Sequence, residues 1–221
     1  MQGSRRPARG GRRRLWVLLA AAWLAGAAVA RTQEAPAADA AVARVDAFHA
    51  ALREAAAIAS CSAREAALAD RVAAYFDIPG IARRLLRGTW SELENEQRRR
   101  FAQKLQALTA SGYSANFDDP EALRFTGAEL RREEGERVVV HSTLIRGDEA
   151  RALGFDYLLE PVKGSWRITN VSVEGVSEMT LRAAQYGQVA RESGLETLLA
   201  RMDEQIRQTR RGCSEDGREP E

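Results

Sequence analysis

Cysteine and histidine are scarce in this sequence, and their scarcity excludes several kinds of site. The 221-residue chain contains two cysteines, Cys61 and Cys213, and two histidines, His49 and His141. These four residues match no zinc-ligand spacing, so neither a metal site nor any other cofactor is expected.

Motifs of catalysis are missing as well. The chain contains none of the patterns G-x-S-x-G, G-x-x-x-x-G-K-[ST], G-x-G-x-x-G and H-E-x-x-H. A serine–histidine pair would have to use His49 or His141, and a strand histidine such as His141 is more often a structural residue. A cavity enzyme could draw only on His141, Asp156 and Tyr157, and adjacent strand residues such as the last two point to opposite faces. We therefore expect a protein that is not an enzyme and has no catalytic residues.

The first 30 residues have the three parts of a secretory signal peptide. They contain six arginines, then an uncharged apolar run from Leu15 to Val29, with small residues at Ala28 and Ala30. The run is shorter than the roughly 20 residues that a membrane-spanning helix needs, although a retained N-terminal anchor is the alternative. Cleavage after this segment predicts a periplasmic protein.

Removing the signal peptide reverses the sign of the net charge. Six of the 33 basic residues lie in it, which leaves 27 against 31 acidic residues, a net charge of −4. The pI of about 8.7 therefore belongs to the precursor. A chain of this charge lacks the basic surface that general nucleic-acid binding needs, so no nucleic-acid partner is expected.

The mature chain has the size of a single domain. After a linker over residues 31–38, one domain is predicted over 39–211, followed by a flexible polar tail over 212–221. Cys61 and Cys213 would meet an oxidising compartment after export, where a disulfide could join the two ends of the domain. The sequence does not place their Cα atoms within bonding reach, so the pairing stays open.

Hydrophobic periodicity predicts helices, then strands, then helices. Apolar residues at three- and four-residue spacing predict helices from Asp39 to Ala56, from Ser62 to Phe76, from Pro79 to Gly88 and from Glu94 to Tyr113. Alternating patterns predict four strands over 123–131, 137–146, 154–161 and 165–173, and helices follow over 178–192 and 194–210. The connections between the strands are short, so the strands form an antiparallel meander, and the fold class is α+β.

An arginine-rich stretch surrounds Trp90 and allows two interpretations. It contains Arg83, Arg84, Arg87, Arg98, Arg99 and Arg100. These side chains could form a face that contacts anionic head groups or an acidic partner. The simpler interpretation is a solvated helix surface that Glu92, Glu94 and Glu96 partly neutralise.

Several motifs, taken in order, resemble the MlaC/toluene-tolerance (Ttg2-like) family of periplasmic lipid-binding proteins. The segment 75–82 (YFDIPGIA), followed by Leu86, Gly88 and Trp90, is similar to the family's opening motif. The segments 157–159 (YLL), 164–168 (GSWRI) and 173–177 (VEGVS) are similar to its C-terminal half. The resemblance covers residues 40–210. Segment 113–118 (YSANFD) and Glu178 are more similar to the hopanoid-associated branch, HpnM.

The resemblance implies a carrier that binds a phospholipid or hopanoid-type lipid and exchanges it with an inner-membrane ABC-transporter or efflux complex. A monomer is expected, with a curved four-stranded antiparallel sheet, covered by flanking helices, that encloses an apolar cavity. An adaptor of a lipid-export complex that binds no lipid is the alternative. The predicted lipid-binding residues are Phe101, Leu105, Leu108, Tyr113, Phe125, Val140, Leu144, Tyr157, Leu159, Trp166 and Ile168.

Overall fold

The computed structural model describes residues 37–146 and 151–216. The predicted signal peptide, residues 31–36 of the predicted linker and residues 217–221 of the predicted tail lie outside these residues. Five helices surround one face of an antiparallel sheet. They are α1 (Ala38–Ala56), α2 (Cys61–Tyr75), α3 (Ile78–Leu85), α4 (Asn95–Asn116) and α5 (Glu178–Asp216), with a 3-10 turn at Trp90–Glu92.

Six strands form the sheet, in the order β1-β3-β4-β5-β6, and β2 also pairs with β3. Their bounds are β1 (Arg124–Phe125), β2 (Glu129–Glu134), β3 (Arg137–Arg146), β4 (Arg151–Val162), β5 (Ser165–Val173) and β6 (Val176–Ser177). The predicted α+β class, the antiparallel sheet, the covering helices and the apolar cavity are confirmed.

The predicted count of four strands was too low, because the chain leaves β3 within the first of them. Residues 124–125 and 129–134 both pair with β3. Between them the backbone N–H of Ala128 donates to the carboxylate of Asp46 on α1, at 3.3 Å. A two-residue strand, β6, then returns against β5 after a turn at Gly175, whose φ of 77° suits a glycine.

A β-bulge divides β5 into two parts. Leu158 pairs with Asn170 and Leu159 pairs with Ile168, so Thr169 is an extra residue opposite β4. An extra residue reverses the alternation of side chains along a strand. Trp166 and Ile168 therefore face the helices on one side of the bulge, and Val171 and Val173 do so on the other.

The start of α3 connects the helices to this bulge. The backbone N–H of Asp77 donates to the carbonyl of Ile168 at 3.0 Å, and the Asp77 side chain caps α3 by accepting from the N–H of Gly80 at 3.2 Å. A Cβ atom at position 80 would lie 1.8 Å from the Asp77 carboxylate. Gly80 is therefore required for the cap, and the cap fixes where α3 begins.

Helix α5 breaks at Gly194, where φ is 80° and ψ is 168°. We call the segments before and after this residue α5N (178–193) and α5C (195–216). α5C is joined to α4 by the ion pairs Arg100–Glu196 and Lys104–Asp203, and to α2 by Arg210–Glu65. It extends beyond the predicted end at residue 210, and Cys213 on this extension forms a disulfide with Cys61.

The Cys61–Cys213 disulfide is expected to contribute much of the stability of the fold. The two cysteines are 152 residues apart in sequence. Closing a loop of this length removes unfolded-state entropy, so we expect the variant Cys61→Ala/Cys213→Ala to lose about 3 to 5 kcal/mol of unfolding free energy. Urea unfolding of both proteins, with and without a reductant, measures this loss. Reductant should lower the unfolding midpoint of the wild type and leave that of the variant unchanged. Equal midpoints for the two proteins without reductant would contradict the prediction.

Candidate functional site

An apolar cavity of about 380 Å³ lies between one end of the sheet and the helices α3, α4 and α5N. Its sheet wall consists of Leu144 on β3, Leu153 and Phe155 on β4, and four residues of β5 at and after the bulge, Thr169, Asn170, Val171 and Val173. The helices contribute mainly Ile78, Ile81, Leu85, Leu105, Tyr113, Phe117 and Met179, together with Phe76 before α3. The wall is thus mostly hydrocarbon, which suits an apolar guest.

Small side chains keep this space from being filled. Gly112 of α4 lines the cavity, and a Cβ atom built on it would meet nothing within 4 Å. Thr109, also on α4, and Thr169 of the bulge are the other short residues of the wall. Their hydroxyls donate to the carbonyls of Leu105 (2.8 Å) and Leu158 (3.3 Å), so these polar atoms need no partner inside the cavity.

The polar residues of the wall lie where α4 ends and α5N begins. The amide oxygen of Asn170 accepts from the hydroxyl of Ser177 and from the N–H of Met179, both at 3.2 Å, which stabilises the start of α5N. Glu178 and Arg182 form an ion pair at 3.5 Å. Asn116 and Glu178 are exposed, so the cavity reaches solvent on this side. Nearby, burial raises the pKa of the Tyr113 hydroxyl above its usual range, which keeps this phenol neutral.

The structure brings three of the eleven predicted lipid-binding residues to the cavity. These are Leu105, Tyr113 and Leu144. The other eight do not line it and lie instead in or against the packed core: Phe101, Leu108, Phe125, Val140, Tyr157, Leu159, Trp166 and Ile168. The residues of the wall that the sequence analysis missed include Phe76, Gly112, Phe155, Val171 and Val173.

The bulge in β5 and the apolar face of α4 explain why these wall residues were not predicted. Strict alternation along β5, starting from Trp166 and Ile168, places Asn170 and Ser172 inside and Val171 and Val173 outside. The extra residue at Thr169 instead turns Val171 and Val173 towards the cavity, which Asn170 also lines. On α4, Gly112 follows Leu105 and Leu108 on the apolar face, and a glycine in such a stripe is a signal of unfilled space.

A buried polar group lies in the packed core, apart from the cavity wall. The Nε2 atom of His49 lies 3.0 Å from the Tyr157 hydroxyl and 3.4 Å from Ser142 Oγ, and its ring stacks on Phe125 at 3.8 Å. No described side chain binds the Nδ1 atom of His49. For His49, the carboxylate that orients the histidine of a serine–histidine–aspartate triad therefore has no counterpart among the described residues.

The other histidine lies on the opposite face of the sheet. His141 and Asp156 are partners across β3 and β4, and their Nδ1 and Oδ1 atoms are 2.8 Å apart. Burial alone would raise the pKa of Asp156, but hydrogen bonds from His141 and Arg131 hold this pKa below its usual range. The pair is half-buried and does not face the cavity, so it is a hydrogen-bonded pair on the outer face of the sheet.

Two further properties of the described residues bear on function. They contain no cluster of three or more His, Cys, Asp or Glu side chains that could hold a metal ion. None of the helices within the described ranges is both long and apolar enough to cross a membrane.

Comparisons with known proteins give a family match and a structural neighbour. A family model described as MlaC protein matches residues 43–204. Among solved structures, the chain is similar to a phospholipid-binding protein from Ralstonia solanacearum, solved in complex with a phospholipid. The TM-score is 0.65 at 15% sequence identity, and the match covers 77% of this chain and 97% of that chain. At this identity the likeness establishes a shared fold. No curated protein matches the chain.

Burial of His49 predicts a loss of stability in acid. Burial, with a smaller contribution from Arg53, lowers the pKa of His49 from 6.5 to about 4. Between these two values the unfolded chain binds a proton that the folded chain does not. Stability from neutral His49 is therefore complete above pH 6.5 and lost as the pH falls to 4, by about 3 kcal/mol.

Unfolding free energies of the wild type and the His49→Gln variant, measured from pH 7 to pH 4, test this prediction. Glutamine can still hydrogen-bond to Tyr157 but does not titrate. The wild type should lose about 3 kcal/mol more than the variant over this range. Parallel pH profiles for the two proteins would show that His49 is not responsible.

Proposed function

Because the chain belongs to the MlaC family, we propose that it is a periplasmic lipid-binding protein that carries an acyl-chain lipid in the cavity described above. The family match confirms the resemblance found in the sequence. The proposal depends most on one observation, the apolar space that Gly112 and Thr109 of α4 leave opposite the bulge of β5.

The physics of lipid transfer requires such a space. Each methylene exposed to water costs about 0.8 kcal/mol, so a chain of about 16 carbons costs on the order of 13 kcal/mol. A carrier must therefore enclose nearly the whole chain, whereas the polar head group can stay in water.

The volume of the cavity corresponds to one acyl chain. A cavity of about 150 Å³ holds a six-carbon benzene ring, which is roughly 25 Å³ per carbon. At that ratio the cavity of about 380 Å³ holds a chain of roughly 15 carbons. A lipid with two chains needs a wall to move outward. The helix α5N is the wall that we expect to move, because glycines with positive φ, Gly175 and Gly194, lie at both of its ends.

The wider role that we propose follows from the family. The protein would exchange its lipid, a phospholipid or a hopanoid-type lipid, with an inner-membrane ABC-transporter or efflux complex, and it would do so as a monomer. The similarity of segment 113–118 to HpnM stays a prediction. The adaptor alternative requires large side chains that fill the space between sheet and helices, and the cavity argues against it.

Extraction of the purified mature protein with organic solvent, followed by mass spectrometry, tests the proposal directly. About one lipid molecule per protein is expected. If no lipid is extracted and none binds after reconstitution, the carrier function is excluded and the adaptor function is preferred.

The variant Gly112→Phe should fold but bind lipid poorly. Position 112 has room for a side chain, and replacing a helical glycine does not weaken the helix. The ring occupies about half of the space available to the chain, so displacing several methylenes should weaken binding at least a hundredfold. Binding of a fluorescent fatty acid and thermal unfolding provide the two measurements.

Gly212→Phe is the matched control. Gly212 also lies in a helix, α5C, a Cβ atom built on it would meet nothing within 4 Å, and it does not line the cavity. This variant should keep wild-type binding. If Gly112→Phe is as stable as the wild type and binds lipid equally well, the lipid does not occupy the cavity.

A further inference from the structure

A second groove lies between α3 and α5N, next to the cavity. It has a volume of about 820 Å³, and Leu85 and Met179 contribute to the walls of both spaces. The cavity is apolar, whereas this groove is strongly basic. A molecule with a hydrocarbon part and an anionic part could therefore contact both.

Small residues make the groove deep. Gly88, Ala183, Ala184 and Gly187 line it. The Nη1 atom of Arg191 lies 3.1 Å from where a Cβ atom of Gly187 would be and 3.8 Å from that of Gly88. The guanidinium group thus rests over the two glycines, and a larger residue at position 187 would displace it.

Of the residues that the structure describes, four arginines and no carboxylate line the groove. They are Arg83, Arg84, Arg87 and Arg191. Arg84 is paired with Glu160, but its Nη1 atom is buried without a hydrogen-bond partner among the described residues. Within the same described part of the chain, the other three arginines have no ion-pair partner.

This pattern separates the two halves of the arginine-rich stretch. Arg99 and Arg100 form ion pairs with Glu96 and Glu196, and Arg98 lies over the ring of Trp90. The interpretation as a solvated surface therefore suits residues 98–100. It does not suit Arg83 and Arg87, which together with Arg191 concentrate positive charge in one groove of a mature chain whose predicted net charge is negative.

We infer that this groove binds the phosphate of an anionic lipid head group while the acyl chain occupies the cavity. The inference rests on the proposed carrier function and adds the chemical class of the head group. A guanidinium group presents a planar fork of N–H donors that matches phosphate oxygens, and several such groups around one space favour a phosphate over a neutral polar group. Neutral lipids with the same chains would use only the cavity.

A lipid competition measures this preference. The delipidated mature protein is incubated with equal amounts of phosphatidic acid and diacylglycerol that carry identical acyl chains and differ only by the phosphate. Bound lipids are counted by mass spectrometry. The wild type should prefer phosphatidic acid at least about tenfold, which corresponds to about 1.4 kcal/mol.

Two triple variants test whether the arginines of the groove cause the preference for phosphatidic acid. Arg83→Gln/Arg87→Gln/Arg191→Gln should reduce the ratio to near one while diacylglycerol binding stays unchanged. Arg99→Gln/Arg201→Gln/Arg207→Gln removes the same number of charges from exposed positions outside both spaces and should keep the wild-type ratio. A preference that survives the groove substitutions would overturn the inference.

The remaining outcomes distinguish this inference from the proposed function. Equal binding of both lipids by the wild type would overturn the head-group site and leave the carrier function intact. Binding of neither lipid would overturn the head-group site, and if solvent extraction also yields no lipid the carrier function is overturned as well. If inorganic phosphate binds in the groove as tightly as phosphatidic acid and the two lipids bind equally, the groove is a site for free phosphate and the lipid assignment is overturned.

Discussion

The β-bulge at Thr169 decides which side chains of β5 face the helices, and the cavity depends on it. On one side of the bulge, Trp166 and Ile168 join the packed core below α1 and α2. On the other side, Val171 and Val173 form part of the cavity wall. The bond from the Asp77 N–H to the Ile168 carbonyl fixes α3 at this boundary. Solid core and hollow space are therefore built on one continuous sheet, with the boundary set by a single extra residue.

A cavity inside a protein has a cost, because its walls lose dispersion contacts that a filled core would make. Here the neighbouring core offsets that cost with large buried side chains such as Phe48, Phe101 and Tyr157. The disulfide and the ion pairs of α5C further stabilise the packing of α5C on α2 and α4. Tight packing in the rest of the fold thus permits unfilled space beside the sheet.

The sequence predicted the helices and the main strands well, because each has a strong apolar period. It did not predict which part of the apolar surface is hollow, since the same period describes a filled core and an empty one. Trp166 and Ile168 were natural candidates for a pocket wall, but the bulge leaves them in the core. Gly112 carried a usable signal as a gap in the stripe of α4. The arginines of α3 could be interpreted only from the structure. It places Arg191, more than a hundred positions later in the chain, beside them.

The position of Cys213 has a consequence for the order of events during biogenesis. If the chain is exported as proposed and crosses the membrane N-terminus first, Cys213 reaches the oxidising side after nearly all of the domain that it closes. Its bond to Cys61 can then form only after nearly the whole chain has crossed. A chain kept in a reducing cytoplasm would omit this step, so production for biochemical work is best directed to an oxidising compartment.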